Sequence, residues 1–243
     1  MNRTLKNKFL ASGLHLLISA IIITVFLALI FFIWFPNNLF LAGASTGLTI
    51  LIIVDVVLGP LLTFVVFNKE KKSLKFDLTC IALLQLGSFI YGAALVYQER
   101  PILQVLGGEG IKLVTISEAK EFEMETNYRF FSSPHYVLLT VPEKVEQYVI
   151  DKVSHEYTQG KPYNTKTELH VDMVNVSEST FNERIDFIRG NLLASELIDL
   201  NNFTELNPDK SCSWLPLLSY HVTGYACVNA KEGIVNFDKN SNS

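Results

Sequence analysis

Cysteine is scarce in this sequence, and so is every arrangement that would suggest catalysis. Three cysteines in 243 residues are too few for a disulfide-rich scaffold or a zinc cluster. There is no Cys-x-x-Cys, so a thiol redox enzyme is unsupported. The five histidines stand singly, without metal-ligand spacing such as His-Glu-x-x-His, and no glycine-rich phosphate loop is present. Ser117-Glu118-Ala119-Lys120 has the Ser-x-x-Lys spacing of penicillin-interacting enzymes but lacks their companion Ser-Asp-Asn and Lys-Thr-Gly motifs. No catalytic residue, metal or cofactor is expected. Asn175-Val176-Ser177 and Asn202-Phe203-Thr204 fit a glycosylation pattern, which matters only in a secretory pathway not inferred here.

Charge is missing from a long stretch. Between Phe9 and Asn68 the only ionisable side chains are His15 and Asp55. Seven of the 20 Lys+Arg and three of the 24 Asp+Glu precede residue 98, so that part carries +4 and the remainder −8. An acidic C-terminal part is a poor partner for nucleic acid, whose phosphates require a basic footprint. Mean hydropathy is +0.28, high for a soluble domain.

What is present in the first 97 residues is three long apolar runs. The chain opens with the basic flank Arg3, Lys6 and Lys8, then runs apolar from Phe9 to Phe35. Ala42-Gly43-Ala44 mimics a signal cleavage site, but the run is nearly twice the length of a signal core, so a transmembrane helix is expected. Trp34, Phe35 and Phe40 surround Pro36-Asn37-Asn38, where an aromatic belt and a tight polar turn are expected. A second span is expected over 41–67, opening on small residues (Gly43, Ala44, Ser45, Gly47) that permit close helix approach. After the Lys-rich loop (Lys69, Lys71, Lys72, Lys75), a third is expected over 78–97, containing Cys80, Gln85, Ser88, Tyr91 and Gly92. Cys80 reads as a small packing residue. By the positive-inside rule the N-terminus (1–8) and the Lys-rich loop lie in the cytoplasm, which delivers 98–243 to the outer side.

The second run contains Val54-Asp55-Val56-Val57-Leu58-Gly59-Pro60-Leu61-Leu62-Thr63. A carboxylate in hydrocarbon costs about 2.5–3.5 kcal/mol on insertion scales, so such residues pair, face a bundle interior or serve a pathway. Pro60 removes the amide that would bond to Val56, which predicts a kinked or partly unwound helix with Asp55 and Thr63 available to freed backbone groups. Asp55, Thr63, Gln85 and Tyr91 could bond to a partner's helix or glue this chain's own helices together; a proton-carrying role for Asp55 is a further alternative. His15 reads as a snorkelling or interfacial group.

Residues 98–243 read as a small α+β domain. Strands are expected at 102–106, 111–116, 136–141, 168–174, 214–221, 224–228 and 234–237. Pro142 suits the start of a helix bearing Val145, Val149, Val153 and Tyr157 at four-residue intervals, with Tyr148 beside them. Thr180-Phe181-Asn182-Glu183 has capping-box form ahead of Ile185, Ile188 and Leu192. The tail from Lys239 is expected to fray. Cys212 and Cys227 flank two expected strands, and in an oxidising compartment a disulfide is their natural state; the alternative is two independent buried thiols.

Trp34-Phe35-Pro36, the Asp55-Gly59-Pro60-Thr63 run, Val66-Phe67-Asn68, Lys71-Lys72-Ser73-Leu74-Lys75-Phe76-Asp77-Leu78, Leu83-Leu84-Gln85-Leu86, Tyr91-Gly92 and Arg100-Pro101 together resemble the type IV pilin accessory proteins. The resemblance is nearly continuous over 34–101, and Trp214-Leu215-Pro216-Leu217 resembles a motif late in that family's outer domain; it does not extend to 107–213, and the Cys212/Cys227 pair is not part of the pattern. It implies three inner-membrane helices and a periplasmic C-terminal domain. The role it implies is non-enzymatic: a dedicated chaperone or assembly factor, working with the lipid bilayer and other pilus assembly proteins, that supports the stability, assembly or surface display of a cognate major pilin. The alternative is a small membrane sensor with a ligand-binding outer domain. Such a sensor would have only an eight-residue tail and a ten-residue loop on the inside, which favours the first class.

Overall fold

The computed structural model describes residues 3–43, 45–125, 128–140, 147–209, 211–219 and 223–239. Ala44, Val141, Pro142, Val145, His221 and the tail after 239, all invoked above, lie outside the described residues. The chain divides into two compact units: one of residues 1–32 and 44–98, the other of 33–43 and 99–243.

The first unit is all helix. Helix α1 (Arg3–Leu29) continues into a π-helical turn, Ile30–Trp34. The second rod is composite: α2 (Ser45–Ile52), a π-helical segment Ile53–Leu58, then α3 (Gly59–Val66). Helix α4 (Leu74–Gln98) begins four residues before the expected span, with Asp77 in its first turn accepting from Lys71 Nζ at 2.5 Å. Three of these helical rods, Thr4–Trp34, Gly47–Val66 and Leu74–Gln98, are long and apolar enough to cross a membrane. α2 and α4 approach closely because small residues meet. A Cβ at Gly47 would sit 2.8 Å from Gly92 O, and one at Gly92 would sit 3.1 Å from Gly47 O. Cys80 is exposed on α4, so it packs nothing in the bundle.

The second unit is a mixed seven-stranded sheet with helices: β1 (Pro101–Leu106), β2 (Ile111–Thr115), β3 (His135–Leu139), β4 (His170–Asp172), β5 (Ser213–Leu218), β6 (Thr223–Asn229) and β7 (Gly233–Lys239), in the order β4-β3-β1-β2-β5-β6-β7. β1 is buried along its whole length and pairs antiparallel to β2 and parallel to β3. β2 runs parallel to β5, and β5, β6 and β7 form an antiparallel meander. Gln104 Oε1 of β1 accepts from Ile234 N at 2.9 Å, so the sheet curls enough to bring the start of β7 to a side chain of β1.

Among the described residues, four α-helices accompany the sheet: α5 (Ile116–Glu121), α6 (Gln147–Thr158), α7 (Glu178–Asn191) and α8 (Ala194–Leu206). Ile116 opens a helix rather than ending a strand, because Thr115 and Glu118 form a capping box. Helix α7 starts earlier than its Thr180 signal suggests: Ser177 Oγ caps Thr180 N at 3.2 Å, and Phe181, Ile185 and Ile188 form its buried face. Val153 is the buried residue of α6, whereas Tyr157 turns outward and stacks on Tyr163 with ring centroids 4.1 Å apart. The expected strand 168–174 shortens to His170–Asp172 between two 3-10 turns.

Cys212 and Cys227 are disulfide-bonded. Cys227 pairs with Trp214 across β5 and β6, and both join Leu200 of α8 and the Phe203 ring in one apolar cluster. The bridge closes a 15-residue separation, for which the chain-entropy argument gives about 3 kcal/mol. Reduction, or Cys212→Ala/Cys227→Ala, is expected to lower the stability of this unit by about that amount, read as a shift of the denaturant midpoint of Trp fluorescence.

His170 Nε2 lies 3.0 Å from Asn164 O, and burial holds its pKa below the ordinary 6.5. Between the folded and unfolded pKa values the unfolded chain binds the extra proton, so stability falls as pH drops below about 6.5. His170→Gln should flatten the acid limb of a pH–stability curve and leave the curve above pH 7 unchanged.

Candidate functional site

The Asp55 run builds its site through a backbone problem. A residue before proline is normally pushed out of the α region by its Cβ, but Gly59 has none and keeps helical angles (φ −60°, ψ −56°), so the rod continues through Pro60. The expected unwinding is instead a π-helical widening. Within it Gly59 N–H donates to Val54 O, five residues back. In that register the next carbonyl, Asp55 O, would be answered by residue 60, and proline has no N–H to give. Gln85 Nε2 of α4 lies 3.4 Å from this oxygen and supplies a long hydrogen bond. The amide is seated against Gly59, where a Cβ would come within 1.9 Å of Gln85 Nε2.

Helix α1 answers the other polar groups of α3. Ser12 Oγ donates to Pro60 O at 2.8 Å, and His15 Nδ1 and Thr63 Oγ1 share a hydrogen bond of 2.6 Å. Thr63 is thus occupied by His15 rather than by freed backbone. His15, read above as a snorkelling group, is a structural partner within the bundle; its pairing residue lies 48 positions away, and no local pattern could show it.

Asp55 itself is different. Its side chain is 5% exposed, and both carboxylate oxygens are without a hydrogen-bond partner among the described residues. It faces a cavity of about 610 Å³ that His15, Ser19, Thr63 and Gln85 also line, between apolar walls from α1 and α4. Of the four intramembrane candidates with polar side chains, the structure therefore gathers Asp55, Thr63 and Gln85. Tyr91 is 60% exposed on α4 and does not join them. Ser19, buried and lining the same cavity, was missed because a lone serine in an apolar run carries no signal.

Of the remaining motif residues, Trp34, Pro36, Arg100 and Pro101 belong to the other unit. Arg100 is fully buried, and its guanidinium donates to the carbonyls of Phe130 (2.9 Å), Arg129 (3.0 Å) and Ser132, clamping one turn. Trp34 Nε1 donates to Phe130 O at 2.9 Å, and the Arg100 guanidinium lies 5.7 Å from the Trp34 ring centre. Trp34 and Phe35 are 2% and 1% exposed, which corrects the expectation of an outward aromatic belt: Trp34 spends its polar handle on the 129–132 turn. Asn37 and Asn38 make the expected tight turn with left-handed φ of 56° and 66°, and Leu39 N donates to Pro36 O at 3.1 Å. Asn37 Nδ2 also donates to Ile234 O at 2.5 Å, pinning that turn to β7. Pro101 opens β1 beside Thr115. Lys72 is exposed in the loop before α4.

Gly59→Ala is expected to drive the Gln85 amide from its seat and destabilise the helical unit by about 1–3 kcal/mol. Gly59→Ala/Gln85→Ala should cost less than the sum of the two single changes. Unfolding in mixed detergent micelles measures both.

The family described as "Fimbrial assembly protein FimB" matches residues 3–37. The chain is 36% identical over 107 residues to the Dichelobacter nodosus "Fimbrial assembly protein, serogroup E1", a match covering 43% of this chain and 42% of that protein. Identity is the same to the "Fimbrial assembly protein, serogroups C1 and C2" of that organism, of which the match covers 82%. The match thus spans less than half of the serogroup E1 protein and most of the shorter relative. No solved structure matches. With more than two thirds of the C1 and C2 protein covered at 36% identity, this chain belongs to the fimbrial assembly protein FimB family.

Proposed function

We propose that this chain is a bacterial inner-membrane accessory factor of type IV pilus assembly that binds a cognate pilin and supports its stability, assembly or surface display. The observation that carries the reading is the 36% identity to a fimbrial assembly protein along 82% of its length. In this reading the three apolar helices span the inner membrane, with the N-terminus and the loop holding Lys69, Lys71, Lys72 and Lys75 in the cytoplasm and the sheet-containing unit in the periplasm. The Cys212–Cys227 disulfide supports that placement, since such bonds persist in oxidising compartments. The role is non-enzymatic. A pilin awaiting assembly presents an apolar helix in the membrane and a folded head outside it, and a partner with both a helical bundle and an outer domain can meet both parts. Specificity for one pilin resides in the outer unit between about residues 107 and 213, because a shared helical motif does not discriminate partners.

Deletion of the gene, scored for surface pili and for total pilin, tests the reading. Loss of pili at normal pilin level identifies an assembly step, and loss of both identifies a stabilising chaperone. Unchanged pili and pilin under every pilin that the host expresses would overturn it.

A further inference from the structure

Among the described residues of the bundle, Asp55 keeps both carboxylate oxygens buried without a hydrogen-bond partner, and it sits at the floor of a cleft. α1 packs on α3, and α4 packs on α2 and α3, so α1 and α4 form the two walls above the middle rod. The rings of Phe26 and Phe89, 5.3 Å apart, bring those walls together at one end. Elsewhere the walls diverge, and Leu14, Ile18 and Ile22 of α1 face the cavity together with Ala82 and Leu86 of α4. All five are exposed, so the cleft opens sideways from the bundle. On α4 the lining runs from Leu78 to Phe89, about 16 Å of helix rise, or roughly half the hydrocarbon thickness.

We propose that this cleft seats one apolar helix of a different membrane chain, and that a hydrogen-bond donor carried by this helix bonds the Asp55 carboxylate. The chemistry selects the occupant. A lipid chain fills apolar walls but offers nothing to two buried carboxylate oxygens. Within hydrocarbon, a protein helix brings an internally satisfied backbone together with a side-chain or terminal N–H or O–H. A second copy of this chain does not fit. Near this level its outward faces carry Ile21, Val57, Leu83 and Leu84, all exposed and apolar. The hydroxyls of Thr24 and Ser88 turn back to carbonyls of their own helices at 2.8 and 2.9 Å. Tyr91 lies six residues beyond Gln85, about 9 Å further along α4. The inference deepens the proposed function, with the cognate pilin as the expected source of the helix, and rests on that reading for the partner's identity alone.

The test uses the full chain in its host membranes, with a photo-crosslinking residue replacing Ile18, Ile22 or Ala82 in the walls, or Leu61 on the outward face of α3. Wall positions are expected to give an adduct with another membrane protein about three- to tenfold above the Leu61 position, the range that one interhelical hydrogen bond supports. Asp55→Leu should lower the adduct by a similar factor at equal chain level. Ala82→Trp, which fills the cleft and leaves the Asp55 side chain in the sequence, should lower it as well and carries the test where Asp55→Leu does not accumulate. Equal yield from Leu61, adducts only with lipid or with a second copy, or indifference to both substitutions would overturn the inference. A wall adduct identified by mass spectrometry as a protein other than a pilin upholds the cleft and removes the pilin from it. Loss of pili on gene deletion with no wall adduct overturns the cleft and leaves the accessory role standing.

Discussion

One missing hydrogen organises the helical unit. Pro60 stands where an N–H should close a turn of the middle rod, and in an apolar surrounding an unanswered carbonyl costs several kcal/mol. The chain meets this in three linked ways. Gly59 lets the backbone remain helical in front of the proline, the π-helical turn moves the vacancy to Asp55 O, and Gln85 arrives from the next helix to fill it. The same glycine gives Gln85 room to lie against the rod. Close packing of α3 on α4 and the polar contact between them therefore share one cause. The π turn also places Asp55 on the cavity floor, since a wider turn rotates the side chains that follow it.

The other unit depends on a different device with the same logic. The turn at 129–132 offers carbonyls to the interior, and a single fully buried guanidinium receives them, helped by the Trp34 indole. Arginine suits this because its fork presents several fixed donors at once, and lysine could not span three carbonyls in the same plane. Trp34 and Arg100, far apart in sequence, both lie in the sheet-containing unit and share the 129–132 turn. Residues 33–43 accordingly group with the sheet, although sequence hydropathy assigns 33–35 to the first span and 41–43 to the second.

What could be read from the sequence and what could not divides along distance in the chain. Three apolar runs, the lone Asp55, the Gly59-Pro60 step, the Asn37-Asn38 turn and the Phe181/Ile185/Ile188 face are local patterns, and each has a direct structural counterpart. The two cysteines left a choice between a bridge and free thiols, and the bridge is formed. The partnerships were out of reach: His15 with Thr63, Ser12 with Pro60 and Gln85 with Asp55 O join residues 30 to 48 positions apart. Helix α8 has no expectation in the sequence: Leu197, Leu200 and Phe203 recur at helical spacing, but the exposed Ile198 and Leu206 blur the stripe. Thr180 gave a capping signal, yet Ser177 holds the cap, because a run of Ser and Thr offers several hydroxyls and only the folded backbone selects one. Tyr91 was grouped with the polar intramembrane residues by type, but the turn of α4 carries it to the outside.

The helical unit's polar inventory separates structural need from something else. Ser12 serves Pro60 O, His15 and Thr63 serve each other, and Gln85 serves the carbonyl orphaned by proline. Among the described residues every one of these side chains does work that the fold requires. The Asp55 side chain makes no such hydrogen bond: its backbone carbonyl is answered, and its carboxylate oxygens are not. A leucine or asparagine at this position would leave all of those hydrogen bonds in place and avoid setting a charge-bearing group in an apolar interior. An acid retained at such a cost, at the floor of an open cleft, is therefore accounted for by something outside the bundle rather than by the stability of the bundle itself.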